Sequence, residues 1–221
     1  MRVVPNLYPA FERQEVVVHS PYHVRSFAEL VADDAAVVAE AWRERARSAQ
    51  EEGFGYVHAL VNEGRAAGAS LAHSHSQLVW LREAPPGVTA ERAEPCPVCE
   101  LVKAERSARE RIVAERDGLV ALTSSAGRSP YELLVAPIAH EAEGFESPRL
   151  AAALALLADL VRALRTVEGP VPWNAWLHDE GHWHLEVVPR LTTFAGIELG
   201  AGIYVNTVAP ETAATALRDA L

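Results

Sequence analysis

The 221-residue sequence has little cysteine, no long apolar run and no excess of positive charge. No run approaches the roughly 20 apolar residues that a membrane-spanning helix requires. The first eleven residues lack the charged, apolar and small-residue regions of a signal peptide. A formal net charge of −10 argues against broad nucleic-acid binding, which depends on a basic surface. These absences predict a cytoplasmic protein that binds neither membrane nor nucleic acid.

Cysteine is limited to Cys96 and Cys99, which form a single C-x-x-C. Without a secretion signal, this pair does not indicate a disulfide framework. The spacing is typical of metal ligands or of a redox pair, and the alternative is two buried thiols that pack as small apolar residues. Histidines downstream in the sequence favour a metal site.

Two stretches of the sequence predict the same succession of elements: a strand ending in a turn with proline and histidine, a long amphipathic helix, and two further strands. The first stretch places them at 14–23, 26–52, 54–62 and 74–81, and the second at 131–140, 147–169, 173–179 and 182–191. A His-x-His begins the last strand of both. The apolar content of 49% is enough for a substantial core. We therefore predict an α+β fold of two duplicated units at 1–81 and 96–221, each an antiparallel sheet with a long helix, joined by a linker at 82–95.

The segment "NEGRAAGASLAHSHSQLVW" carries the strongest functional pattern. Alternate residues of a strand share a face, so His73, His75 and Gln77 are predicted to point the same way. A neutral imidazole is a competent nucleophile toward phosphorus near neutral pH. A single histidine on a strand is usually a packing or surface residue, but two of them behind a glycine-rich loop favour catalysis.

The loop before these histidines is suited to an anion. Gly64 and Gly68 carry no Cβ and allow a close approach of backbone N–H groups, and Ser70 adds a hydroxyl donor. The segment therefore predicts a phosphate-binding loop beside a nucleophilic histidine.

At this point the motifs resemble a known family. They are "RVVPNLYPAF", "HSPYH", "NEGRAAGASLAHSHSQ", "CPVC", "HWHLEVVPRLT" and "GIELGAGIYVN". Together they resemble the galactose-1-phosphate uridylyltransferase family of the histidine-triad superfamily, including its branch that acts on ADP-glucose. The resemblance implies that each half is a histidine-triad-like unit and that the chain forms a homodimer. It also implies an enzyme that moves a nucleoside monophosphate between a nucleoside diphosphate hexose and a hexose 1-phosphate.

The resemblance also assigns roles to residues. His75 would be the nucleophile that becomes nucleotidylated, and Gln77 would hold the α-phosphate. Substrate contacts would come from Asn6, Asn62, Gly68, Ser70 and Glu198. A Zn²⁺ ion would be held by Cys96, Cys99, His140 and His182, a set that matches the branch transferring an adenylyl group.

Glutamine at position 77 has a chemical consequence. A third histidine could donate a proton and assist a leaving group toward water, whereas the amide of Gln77 binds a phosphate oxygen but does not titrate. The pattern therefore favours transfer to a phosphorylated acceptor over hydrolysis.

Two departures from the family pattern bear on these expectations. Relatives usually carry an upstream C-x-x-C that would join His23 and His73 in a first metal site, so we expect this chain to start after that segment and to hold one zinc. Ser74 stands where relatives have a proline between the two histidines. Two alternatives stay open: an ADP-sugar or dinucleotide phosphorylase or hydrolase, and a zinc-stabilised nucleotide-binding module of weak activity. Either uridine or adenine nucleotides would fit the pattern.

Overall fold

The computed structural model describes residues 1–90 and 92–221. Within them the strands are Arg2–Pro5 (β1), Arg13–Val18 (β2), Tyr56–Glu63 (β3), His75–Leu81 (β4), Ile112–Arg116 (β5), Leu119–Thr123 (β6), Leu133–Pro137 (β7), Trp173–His178 (β8) and His184–Pro189 (β9). The helices are Ala32–Glu51 (α1), Pro86–Ala90 (α2), Pro97–Ala108 (α3), Leu150–Glu168 (α4), Gly196–Ala201 (α5) and Pro210–Ala220 (α6). Glu91, within the expected linker, lies outside the described residues.

One antiparallel sheet runs through both predicted halves in the order β1-β2-β4-β3-β8-β9-β7-β6-β5. The order is symmetric about the β3–β8 pair, because β2, β4 and β3 on one side correspond to β7, β9 and β8 on the other. The long helices α1 and α4 follow β2 and β7 in the chain and pack against each other. The predicted α+β fold of duplicated units is thus confirmed.

The helices α1 and α4 cover one face of the sheet and form the main core with it. Their contact face is rich in small and branched residues, and Trp42 and Leu157 are almost fully buried within the core. A side chain of this size contributes about 1.5–3 kcal/mol when it is fully buried. The sheet face away from α1 and α4, here called the outer face, is where the functional residues lie.

The outer face is covered differently in the two halves. In the second half, α3 packs Val98 and Val102 against Val120, Leu122 and Ala136 of the outer strands. In the first half, Val16 and Val18 of β2 stay partly exposed on the same face. The cover provided by α3 brings the C-x-x-C at its start close to β7 and β9.

The predicted helix at 26–52 is interrupted in the structure. Ser26 caps a short 3-10 turn at Phe27–Glu29, and the backbone at Leu30 is extended before α1 begins at Ala32. The interruption arises because Glu29 accepts hydrogen bonds from the N–H of Ser26 and closes the turn locally. Within the described residues, no helix combines the length and the apolarity needed to cross a bilayer.

Candidate active site and metal site

His75 is the first residue of β4 and lies on the outer face. Ser76, which follows it, faces the core, where its Oγ accepts a 2.8 Å hydrogen bond from Nε1 of Trp42. Strand alternation therefore turns His75 and Gln77 to the opposite side, as the sequence predicts. The His75 side chain is buried and lines a cleft.

The tautomer of His75 follows from its contact with the backbone. Its Nδ1 lies 2.8 Å from the carbonyl oxygen of His73. Since a carbonyl oxygen only accepts, Nδ1 carries the proton, and Nε2 keeps its lone pair. The structure thus holds His75 in the form that a nucleophile requires.

Ser74 fixes the backbone between the two histidines. Its N–H donates to the carbonyl oxygen of Val24 at 2.9 Å, and its own carbonyl oxygen accepts from the N–H of His19 at 3.2 Å. Its Oγ also lies 2.9 Å from Nδ1 of the buried His19. Burial, with smaller effects from His75 and His73, lowers the pKa of His19 to about 3, so the ring is neutral at pH 7. Hydrogen bonds therefore supply the rigidity at a position where a proline was expected from the family pattern.

The glycine-rich loop differs in one respect from expectation. Gly64 and Gly68 have φ of +85° and +88°, and a Cβ at Gly64 would lie 2.9 Å from Cβ of Pro172. The N–H groups of Ala67, Gly68 and Ala69 all donate back to carbonyl oxygens at the start of the loop. The two glycines therefore shape a closed turn, and these three N–H groups do not face an anion.

The cleft around His75 has a volume of about 770 Å³. Asn62, Ser70 and His73 line it together with His75, whereas Gly68 and Gln77 are not among its lining residues. Three arginines also line the cleft: Arg25, Arg65 and Arg165. They place cationic groups in the cleft beside the carboxylates of Glu29 and Glu63, which also line it, and the sequence reasoning missed them because they come from three separate segments.

Gln77 lies beyond the cleft lining, on the same face as His75. Its Oε1 accepts a 2.6 Å hydrogen bond from Nε2 of Gln14 on the neighbouring strand. Asn6 directly follows β1. Its N–H donates to the carbonyl oxygen of Gln14, and its Oδ1 accepts from the N–H of Tyr8. Asn6 and Gln77 are thus linked through Gln14.

Glu198 is buried in the first turn of α5. Its Oε2 accepts a 2.9 Å hydrogen bond from the N–H of Ala195, so the carboxylate caps its own helix. It is not among the residues that line the cleft around His75.

The four predicted metal ligands lie together. The Sγ of Cys99 is 3.3 Å from Nδ1 of His140 and 3.2 Å from Nδ1 of His182, and the ligand atoms of the whole group, Cys96 included, lie within 4.8 Å of one another. A tetrahedral zinc ion with bonds of about 2.0–2.3 Å separates its ligand atoms by roughly 3.3–3.8 Å. The group is therefore of the right composition and size to hold a metal ion.

The protonation of these ligands agrees with metal binding. Nε2 of His182 lies 2.9 Å from the carbonyl oxygen of Pro137, which places the proton there and leaves Nδ1 free for a metal. Burial lowers the pKa of His182, which favours the neutral ring. Burial, followed by the effect of Cys96, raises the pKa of the Cys99 thiol to about 11, so metal binding must displace a proton there.

Other histidine groups are less suited to a metal. The rings of His23 and His73 lie edge to face with centroids 6.0 Å apart, and the sequence holds no further cysteine to join them. His178, His184 and Glu186 also lie within ligand distance of one another. However, Nε1 of Trp176 donates to Nε2 of His178, and Arg128 pairs with Glu186.

Comparisons with known proteins identify a matching domain model and two kinds of related enzyme. Residues 9–86 match the model of the galactose-1-phosphate uridyl transferase N-terminal domain. ADP-glucose phosphorylase of Arabidopsis thaliana is 26% identical over an aligned length of 267, and the alignment covers 99% of this chain and 74% of that protein. Galactose-1-phosphate uridylyltransferase of Thermotoga maritima is 27% identical over an aligned length of 234, and the alignment covers 93% of this chain and 73% of that protein.

The fold comparison leads to the same proteins. A solved structure of a uridylyltransferase superposes with a TM-score of 0.91 at 26% identity, and the match covers 99% of this chain and 84% of that one. The chain is thus related along nearly its whole length to galactose-1-phosphate uridylyltransferases and to an ADP-glucose phosphorylase, and the resemblance to that enzyme family predicted from its motifs is confirmed.

Proposed function

We propose that the protein is a nucleotidyltransferase that moves a nucleoside monophosphate between a nucleoside diphosphate hexose and a hexose 1-phosphate through a covalent intermediate on His75. The observation that carries the proposal is the 2.8 Å contact from Nδ1 of His75 to the carbonyl oxygen of His73. It fixes an unprotonated Nε2 in a cleft that also holds Asn62 and Ser70.

The first half-reaction requires no proton transfer. Nε2 of His75 attacks the α-phosphorus, the bond from that phosphorus to the bridging oxygen breaks, and the hexose 1-phosphate leaves with the electron pair. The ring becomes positively charged and keeps its proton on Nδ1. The carbonyl oxygen of His73 then accepts a charge-assisted hydrogen bond, which is stronger than the bond to the neutral ring.

The second half-reaction reverses these steps. A phosphate oxygen of the acceptor attacks the same phosphorus, the P–N bond breaks, and His75 returns to its neutral form. Gln77 can bind the phosphate throughout but cannot supply a proton, which agrees with transfer to a phosphorylated acceptor in preference to water.

Substrate contacts belong to the same proposal. Asn62 and Ser70 would bind the phosphates from the wall of the cleft, with Gly68 shaping the loop between them. Asn6 would reach the nucleotide from the edge of the sheet, where Gln14 joins it to the site. Glu198, whose Oε2 caps α5, would meet the sugar hydroxyls, a role assigned by the family resemblance.

A second candidate within the same chemistry is an ADP-sugar phosphorylase, in which inorganic phosphate is the acceptor. The group formed by Cys96, Cys99, His140 and His182, whose ligand atoms lie together, favours it, because the motif resemblance assigns this ligand set to the adenylyl-transferring branch. We propose that the group binds one Zn²⁺. Four N and S ligands leave no open position, so the ion would stabilise the fold and take no part in the transfer.

We also propose a homodimer. Several large apolar side chains near the C-terminal end of the chain are exposed: Ile197, Leu199, Ile203, Tyr204 and Val205. Apolar exposure of this kind is typical of an interaction surface. Light scattering coupled to size exclusion should give about twice the 24.0 kDa chain mass, and a monomer at micromolar concentration would contradict the proposal.

Covalent labelling tests the function. The protein is incubated with UDP-glucose and with ADP-glucose, each radiolabelled in the α-phosphate, and acid-labile protein label is isolated. The label should then be released by glucose 1-phosphate, by galactose 1-phosphate or by inorganic phosphate, and the effective acceptor distinguishes the two candidates. His75→Ala should take no label. His184→Ala is its matched control, because His184 has the same Nδ1 contact to a carbonyl oxygen in the second half. No label from either donor would refute the proposal.

A further inference from the structure

Two side-chain amides flank the candidate nucleophile, and each is hydrogen-bonded by another amide. Gln77 lies two residues beyond His75 on β4, and Asn62 follows Val61, which pairs with Ser76 on the neighbouring strand. An amide group presents either a donor or an acceptor to a ligand, depending on which way it is turned. The second amides decide this orientation.

Gln14 orients Gln77. The N–H of Ala10 donates a 3.0 Å hydrogen bond to Oε1 of Gln14, so the other end of the Gln14 amide is its nitrogen. That nitrogen donates to Oε1 of Gln77 at 2.6 Å. The Nε2 of Gln77 is therefore turned away from Gln14 and stays available as a donor.

Asn174 orients Asn62 from the second half of the fold. Its Nδ2 donates to the carbonyl oxygen of Ala67 at 2.8 Å and to Oδ1 of Asn62 at 2.7 Å. A backbone carbonyl only accepts, which identifies the nitrogen, and both of its hydrogens are then used. The Nδ2 of Asn62 consequently faces the loop, 3.8 Å from where a Cβ on Gly68 would lie.

The orientation matters because some of the loop's donors are not available to an anion. The N–H groups of Ala67, Gly68 and Ala69 are already used inside the loop. A phosphate beside His75 therefore gains nothing from these three N–H groups, and a reversed amide would place an oxygen against its negative charge. Such a reversal replaces a charge-assisted hydrogen bond with repulsion.

We propose that Gln14 and Asn174 are positioning residues that hold the amide nitrogens of Gln77 and Asn62 toward the phosphate of a bound nucleotide. The proposal rests on the function proposed above, since it assumes a phosphate next to His75. Neither positioning residue touches the substrate. Each acts through one partner that does.

Isosteric acids test the proposal. In Gln14→Glu and Asn174→Asp the side chain loses its donor, so the partner amide should turn its nitrogen toward the new carboxylate and its oxygen toward the phosphate. Each variant should reduce the rate of covalent labelling by about 10- to 100-fold, the range expected for a hydrogen bond to a charged group. Gln50→Glu, an exposed amide-to-acid change on α1, should leave labelling unchanged.

Double variants separate orientation from structural support. If Gln14 acts through Gln77, then Gln14→Glu should have no more than a twofold effect in a Gln77→Ala background. Asn174→Asp should likewise lose its effect in an Asn62→Ala background. Equal losses with and without the partner amide would overturn the proposal.

A binding measurement keeps the proposal separate from the proposed function. In the His75→Ala background, the dissociation constants of ADP and UDP should rise about tenfold with either isosteric acid, and the same double variants should abolish the rise. If the unsubstituted chain takes no label while these binding effects appear, the covalent function fails and the positioning role stands. Unchanged dissociation constants in both acid variants would refute the positioning role.

Discussion

Ser74→Ala tests what holds the candidate nucleophile in place. The substitution removes the Oγ that lies 2.9 Å from Nδ1 of His19. The ring of His19 is 1% exposed, and its Nε2 already has no hydrogen-bond partner within the described part of the chain. After the substitution both ring nitrogens would be buried without a partner.

The cost follows from that loss. Leaving a buried polar group without its hydrogen bond costs about 1–3 kcal/mol of unfolding free energy. For a chain of this length, each kcal/mol lowers the melting temperature by about 2–4 °C, so a fall of roughly 2–12 °C is expected. The backbone bonds of Ser74 to Val24 and His19 remain, so covalent labelling of His75 should fall less than threefold, by about 0.6 kcal/mol at most.

Urea unfolding at pH 7.5 measures the free energy, and a double variant supplies the control. In a His19→Leu background, Ser74→Ala should cost less than about 0.5 kcal/mol, because no buried ring nitrogen loses a partner. An equal cost in both backgrounds would refute the reasoning. A large loss of labelling in Ser74→Ala with an unchanged melting temperature would show that the hydroxyl itself serves the reaction.

Four further outcomes are expected. His75→Ala should abolish covalent labelling and change the melting temperature little, and label that survives would exclude this nucleophile. Gln77→His should raise hydrolysis of the nucleotide sugar relative to transfer, measured as product ratios with and without acceptor, because an imidazole can carry protons to water. The Cys96→Ser, Cys99→Ser double variant should lose the one zinc per chain found by elemental analysis after dialysis, with a lower melting temperature; zinc that persists would contradict the ligand set. Burial raises the pKa of Asp179 to about 7, so its ionisation lowers the stability of the folded chain as pH rises from 6 to 8. Asp179→Asn removes this ionisation, so its free energy of unfolding in urea should gain about 1.4 kcal/mol relative to the parent over that range. A difference between the two proteins that does not change with pH would contradict the shift.

Strand alternation and helix periodicity were sufficient to predict the parts of the fold that carry the candidate site. The spacing of His73, His75 and Gln77 predicted a shared strand face, although the cleft lining includes only the two histidines. The duplicated order of elements predicted the symmetric halves. The ligand set of Cys96, Cys99, His140 and His182 came from the family resemblance, and the structure places these four residues within ligand distance of one another.

Other features depend on tertiary contacts that a linear pattern does not contain. Gln14 and Asn174 are unremarkable residues in two strands, and their roles arise only from the pairing of those strands with β4 and β3. The use of N–H groups inside the glycine-rich loop likewise follows from the closed turn. The break at Leu30 was missed because a local capping box overrides an otherwise continuous helical pattern.

The duplication also allows the surroundings of the two corresponding histidines to be compared. His184 corresponds to His75, and its Nδ1 lies 3.0 Å from the carbonyl oxygen of His182, so the second half keeps the nucleophile geometry. The second half lacks the glycine-rich loop, because Gly181 is followed directly by His182. At the position of Gln77 it has Glu186, a carboxylate that repels phosphate and is paired with Arg128. If the proposed transfer takes place on His75, a correctly oriented imidazole is therefore not enough, and Gln77 in place of Glu186 is one group that distinguishes the two halves.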